Sequence, residues 1–269
     1  MSLRIQSNPE AMNAHRQLIG TSEKLQKSME RLSSGYRINR AADDAAGLAI
    51  SEKLRGQISG ISQAMRNTQD AVSLVQTAEG ALHEVHSMLQ RMRELAVQYK
   101  NGTLSPSDQQ AIQSEVSQLQ LEVDRIGNQV QFNGVPLLAS AGTITFQVGA
   151  MDNQVITVST VSLGSTISSA AYALTPTGAS DIAEIDVAIN NVSATRAQFG
   201  AVQNRLDHTL ANLGAYHENL VASESRVRDA DMAEEMVNFT KLQILQQAGT
   251  SMLAQANQVP QNVLTLLRG

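Results

Sequence analysis

Few residues of this chain are placed to do chemistry. His83-Glu84-Val85-His86 brings two imidazoles and a carboxylate together, the side-chain types that hold a catalytic zinc. A helical zinc site of that kind needs histidines four apart, with two residues after the glutamate. Here they are three apart, with no third ligand nearby in sequence, so the pair reads as a helix surface. Asp43-Asp44 is a carboxylate pair of the sort used for acid–base work. Arg37 and Arg40 lie close by, and helix capping with ion pairing accounts for the acids more simply. His15, His208 and His217 are isolated. No phosphate-cradling loop, dinucleotide turn or nucleophile elbow occurs. Asn101-Gly102-Thr103, Asn191-Val192-Ser193 and Asn238-Phe239-Thr240 match the glycosylation triplet, but two lie in helical pattern and such triplets recur by chance. The search leaves no catalytic set, no metal site and no cofactor site. Function must then come from surfaces.

The elements that carry those surfaces follow from composition and period. Aromatics make up 3 % of the 269 residues, and Trp and Cys are absent. A core without large rings is thin, built along helix seams rather than around a deep pocket. Without Cys there is no disulfide or thiol chemistry. The net charge of −5 gives no global pull toward nucleic acid. Residues 1–40 differ, with seven basic side chains against three acidic ones, a face suited to complementary protein surfaces. The start Met1-Ser2-Leu3-Arg4-Ile5 lacks the apolar run of a cleaved secretory signal.

Residues 1–33 read as an amphipathic helix, with Leu18, Leu25 and Leu32 in its stripe, Pro9 limiting its start and Ser33-Ser34-Gly35 stopping it. Asp43 and Asp44 then precede a helix expected over about 45–99, roughly 80 Å at about 1.5 Å per residue, so the molecule is expected to be a rod. Asn101-Gly102 breaks it and Ser105-Pro106 starts an antiparallel neighbour. Asn133-Gly134, and the alternation of Ile144, Phe146 and Val148 before Ile156 and Val158, predict one or two β-hairpins. Residues 162–180 form a weakly patterned insert, and helix resumes near Asp181. From Leu242 to Leu267 no residue is charged. Within that tail Leu242, Leu245, Gly249, Met252, Ala256, Val259, Val263 and Leu266 step by 3 and 4, a coiled-coil seam. Its eight amides exclude a membrane span and suit burial among other helices. The fold class is thus mainly α, a long antiparallel helical rod with coiled-coil-like terminal helices and a small β-hairpin region. Both ends present apolar edges. Repeated contacts that do not close into a ring give a filament.

Five separated motifs resemble a known family. They are Arg31-Leu32-Ser33-Ser34-Gly35-Tyr36-Arg37-Ile38-Asn39-Arg40-Ala41-Ala42-Asp43-Asp44-Ala45-Ala46-Gly47, Gln76-Thr77-Ala78-Glu79-Gly80-Ala81-Leu82, Phe132-Asn133-Gly134, Gly200-Ala201-Val202-Gln203-Asn204-Arg205-Leu206, and Gln246-Gln247-Ala248-Gly249-Thr250 with Met252-Leu253-Ala254-Gln255-Ala256-Asn257-Gln258-Val259-Pro260-Gln261. In this order they resemble the bacterial flagellins. The resemblance implies a non-enzymatic, extracellular filament subunit without cofactors, exported unfolded through the flagellar type III apparatus. Residues 1–45 and 222–269 would form an inner core domain. Residues 46–161 and 181–221 would form a rod domain, with 162–180 replacing larger outer domains. The implied partners are copies of the chain, an export chaperone on the C-terminal helix, the filament cap and hook-associated proteins, with no nucleic acid and no membrane. A host Toll-like receptor is a further implied partner, contacting Gln90, Arg91, Leu95, Gln98 and Glu115. Self-assembly falls to the terminal seams, and the connector between them to Arg37, Arg40, Asp43 and Asp44. A hook–filament junction protein of the same architecture is the alternative.

Overall fold

The computed structural model describes residues 8–167 and 181–268, with side chains except those of Thr166 and residues 259–268. Among the described residues six helices and four short strands follow in order: α1 (Pro9–Ser34), α2 (Ala45–Tyr99), α3 (Pro106–Gln129), β1 (Gln131–Phe132), β2 (Val135–Pro136), β3 (Gly142–Gln147), β4 (Val155–Thr160), α4 (Leu163–Thr166), α5 (Asp181–Arg228) and α6 (Met232–Arg268). The chain is mainly α, as its periods require. It divides into two compact units, one of Met1–Gly56 with Leu220–Gly269 and one of Gln57–Asn219. No described helix is long and apolar enough to cross a membrane.

The helix ends are local chemistry. Asn8 accepts from the Ala11 amide at the start of α1, with Pro9 in the first turn, and Gly35 closes it at φ 76°, a left-handed turn that glycine enters without a Cβ clash. Ser105 and Asp108 form a capping box ahead of α3, each satisfying the other's free backbone N–H.

The unit of residues 57–219 is built on the inward stripe of α2. Ile61, Ala64, Thr68, Ala71, Val75, Ala78, Leu82, Val85, Leu89, Met92, Ala96 and Tyr99 are all buried, alternating steps of 3 and 4. The small members Ala64, Ala71 and Ala78, unread as core in the sequence, complete the stripe. From α3 come Ile112, Val116 and Val123, and from α5 Ile185, Ala188, Val192, Phe199 and Leu206. Ion pairs fix α2 and α5 as antiparallel: Lys100 faces Asp181, Arg93 Asp186 and Glu79 Arg196. Both expected hairpins form. β1 pairs with β2 across Asn133-Gly134, where φ is positive at both residues, the condition of a tight twisted turn. β3 pairs with β4 from Gly142↔Thr160 to Gln147↔Val155, and β4 buries Ile156 and Val158 while its alternate residues face out. The short α4 was not expected. Of the insert, residues 168–180 lie outside the described residues.

α5 runs on to Arg228, and the break before α6 falls within the charge-rich residues 222–235.

Candidate self-association surface

In the unit of Met1–Gly56 and Leu220–Gly269, α1 and α6 lie antiparallel. The Asn8 side-chain amide donates to the Ala256 carbonyl at 2.8 Å, and at the other end Ser28 donates to Glu235, which also faces Arg31 at 3.6 Å. The α1 side of this seam is Ala11, Ala14, Leu18, Thr21, Leu25, Ser28 and Leu32; the α6 side is Phe239, Leu242, Gln246, Gly249, Leu253 and Ala256. Both stripes step by 3 and 4, as knobs-into-holes packing demands. Small residues fill much of it, and Ser28 is the one fully buried residue of α1. The seam is narrow.

This register differs from the stripe read in the sequence. Leu242, Gly249 and Ala256 do face α1. Gln246 and Leu253 take the places expected for Leu245 and Met252, because the uncharged tail carries two overlapping 3–4 rows and the pair uses the neighbouring one. Leu245 and Met252 turn outward, and they are not alone. Met12, Ile19 and Met29 on α1, with Met236, Val237, Ile244, Leu245 and Met252 on α6, are each 47–69 % exposed. Met236, Val237, Ile244 and Leu245 border one shallow depression with Thr240 and Lys241. Met12 and Ile19 border a second that reaches Leu253. Helix continues through Val259, Val263 and Leu266, whose side chains lie outside the described residues.

The connector between α1 and α2 is pinned on three sides. The Arg37 amide donates to the Arg228 carbonyl at 2.7 Å and the Ala230 amide to the Gly35 carbonyl at 2.9 Å. The Arg228 guanidinium lies 4.7 Å from the Tyr36 ring centroid and 3.0 Å from Glu52. Ile38 is fully buried. The expected pairing of Asp43 and Asp44 with Arg37 or Arg40 is not what forms. Asp44 caps α2, accepting from the Gly47 amide at 2.9 Å. Asp43 pairs with Lys27 and accepts from the Asn39 and Arg40 amides. Arg40 bonds Glu30 at 2.9 Å, and Arg37 donates to the Val227 carbonyl at 2.6 Å. The turn spends the carboxylates on nearby amides and sends both arginines away from them. Lys27, Glu30, Tyr36, Glu52 and Arg228 thus belong to the connector, although no spacing rule links residues so far apart in sequence.

The Lys27 ammonium, then the Arg40 and Asn39 amides, hold the Asp43 carboxyl at about 2, below its ordinary 3.8. A depressed carboxylate stabilises the fold above its unfolded pKa and loses that contribution as pH falls toward the folded one. The stability gap between the natural chain and Asp43→Asn should therefore be full near neutrality and close between about pH 4 and about pH 2. Denaturant melts of both proteins at stepped pH measure it. A gap that stays constant through that window would show that Asp43 contributes nothing through its charge.

The implied receptor face is divided. Arg91 reaches Glu115 at 2.9 and 3.0 Å and Glu94 at 3.2 Å, and these bonds raise its pKa. Gln90 and Gln98 are exposed beside it. Leu95 is not with them: at 2 % exposure it belongs to the core, because it falls next to Ala96 on the inward stripe of α2. No cluster of three His, Asp or Glu side chains placed to hold a metal occurs among the described residues.

Comparison with known proteins follows the same terminal elements. Residues 5–143 match the family model of the bacterial flagellin N-terminal helical region, and residues 182–267 that of the C-terminal helical region. The chain is 53 % identical to a flagellin of Halalkalibacterium halodurans over 98 % of its own length and 99 % of the relative's. It is 48 % identical to a flagellin of Bacillus subtilis, over 99 % and 100 %. The flagellar filament 33 kDa core protein of Treponema phagedenis is 46 % identical, over 98 % and 99 %. Among solved structures, Bacillus cereus flagellin is similar with a TM-score of 0.51 and 33 % identity, covering 55 % of this chain and 88 % of that one. Matched at both helical ends, and similar to flagellins along nearly all its length, the chain belongs to the bacterial flagellin family, the structural proteins of the flagellar filament.

Proposed function

We propose that the α1–α6 pair is the polymerisation element, and that copies of the chain stack through the apolar flanks the pair leaves uncovered. The observation that carries this reading is the outward set Met12, Ile19, Met29, Met236, Val237, Ile244, Leu245 and Met252. Apolar side chains gathered along a helix pair mark an association surface rather than ordinary solvent-facing protein. The uncharged, amide-rich α6 supports it, since such a helix gains from neighbours that bury its leucines and satisfy its amides. In this reading residues 1–45 and 222–269 form the filament core, with 46–221 around it. The chain leaves the cell unfolded by type III export, held by a chaperone at α6, and adds beneath the filament cap. No step of this cycle asks the subunit for catalysis. The relatives matched along their whole length carry flagellin or filament-core names, which sets the filament reading ahead of a hook–filament junction protein.

Removing Leu242–Gly269 deletes most of α6 and should leave a soluble, helical chain that does not polymerise. Sedimentation with far-UV circular dichroism measures both halves of the expectation. Filaments of ordinary appearance from the truncated chain would refute the role given to α6.

A further inference from the structure

The chain contains ten methionines and no cysteine or tryptophan, so the thioether is its readily oxidised sulfur. The placement of these sulfurs is uneven. Met92 is fully buried in the core of residues 57–219, and Met65 and Met88 are half-buried there. All five described methionines of the terminal unit face outward: Met12, Met29, Met232, Met236 and Met252, each 46–64 % exposed. None sits in the α1–α6 seam, which is made of Leu, Ala, Phe, Gly, Thr, Ser and Gln. Oxidation at these five sites therefore spares the pairing of α1 with α6 and alters the face the pair presents.

We propose that Met12, Met29, Met232, Met236 and Met252 are a reversible oxidation site controlling assembly. Hydrogen peroxide delivers one oxygen atom to the thioether: the O–O bond breaks, an S–O bond forms, the sulfur is oxidised to sulfoxide and the peroxide is reduced to water. The product is polar and chiral. A flexible apolar side chain suited to filling a contact becomes a group that must keep its hydration. The free chain is open to this reaction, whereas subunits in the polymer bury the same sulfurs against neighbours. A sulfoxide reductase reverses it. The inference rests on the terminal pair being the association surface and adds the chemistry that switches it.

The test treats the full chain with hydrogen peroxide in two states, free and polymerised, maps sulfoxides by peptide mass spectrometry, and follows elongation after the peroxide is removed. In the free chain the five methionines should oxidise together with Met151, which is 56 % exposed on the β3–β4 turn, while Met92 stays reduced. The free-chain concentration needed for elongation should rise about tenfold or more, so that elongation at a fixed concentration slows or stops, because burial of even one methionine side chain is worth at least that factor in the association constant. The far-UV spectrum should not change. Sulfoxide reductase should restore elongation, and a variant with leucine at the five positions should elongate equally with and without peroxide. In filaments the five should be protected. Elongation of the oxidised chain at the untreated rate overturns the proposal, as does equal oxidation of the five in filament and free chain. If the leucine variant does not elongate even untreated, the reductase decides: recovery of the oxidised natural chain supports the site, and no recovery overturns it. Failure of the untreated natural chain to elongate overturns the association reading itself, a result distinct from all of these.

Discussion

Leu89→Ala should lower the stability of the Gln57–Asn219 unit by about 3 kcal/mol, within the roughly 2–5 kcal/mol spread for leucine truncations in a closed core. Leu89 is fully buried, and so are Val85 and Met92 one turn to either side on the same stripe. Opposite them α3 and α5 supply β-branched partners such as Val116, Ile185 and Val192, whose stiff side chains collapse poorly into a vacated space. A cavity therefore persists, and the lost contacts add to the lost transfer energy. For a unit of this size each kcal/mol moves the midpoint by about 2–4 °C, so Tm should fall by about 6–12 °C. Leu121→Ala is the control. Leu121 is 60 % exposed on α3, and truncating it should change stability by less than about 0.5 kcal/mol. Thermal melts of the two variants measure the contrast, and equal shifts would mean that the α2 stripe is not the packed core of this unit.

That stripe also shows what the sequence could and could not reveal. Helix ends were legible because they are made by neighbours: Pro9 at the start of α1, Gly35, Ser105 with Pro106, Asp44 ahead of Ala45. The hairpins were legible for the same reason, since Asn133-Gly134 and the alternation through Ile156 and Val158 are local patterns. Ala64, Ala71 and Ala78 were not, because a template that looks for large apolar side chains passes over methyl groups, which fill a seam only when a facing helix comes close. Choice of row failed on α6 for a related reason. Leu245 with Met252 and Gln246 with Leu253 both fit a 3–4 step, and only the partner helix decides which row turns inward. The connector was half legible. Asp44 caps as expected, but the partners of Asp43, Arg37 and Arg40 come from α1 and from the end of α5, through space. Leu95 was transferred by motif alone, and a motif does not tell which face of α2 a residue takes; here it is the inward one.

Gly249→Leu should abolish polymerisation while Gly249→Ala leaves it intact. A Cβ built on Gly249 would stand 3.1 Å from the Leu18 Cδ1 methyl, so this is where α1 and α6 come close. Alanine asks that methyl to retreat by a few tenths of an ångström. In return it gains about 1 kcal/mol of helix propensity over glycine, and the two effects roughly cancel. Leucine brings the same gain in propensity but adds three further carbons where Leu18 already lies, an overpacking worth about 1–3 kcal/mol. A wide core could spread that strain. This seam cannot, because α1 has only Ser28 fully buried and most of its other contacts are half-exposed, so the helices separate or slide. A shift to the overlapping row turns Leu245 and Met252 inward in place of Gln246 and Leu253, away from the positions that a neighbouring subunit must meet. Helix content by circular dichroism should hold for both variants, whereas pelletable polymer should form from Gly249→Ala alone. Equal polymerisation of the two, or equal failure, would show that the α1–α6 register does not govern assembly.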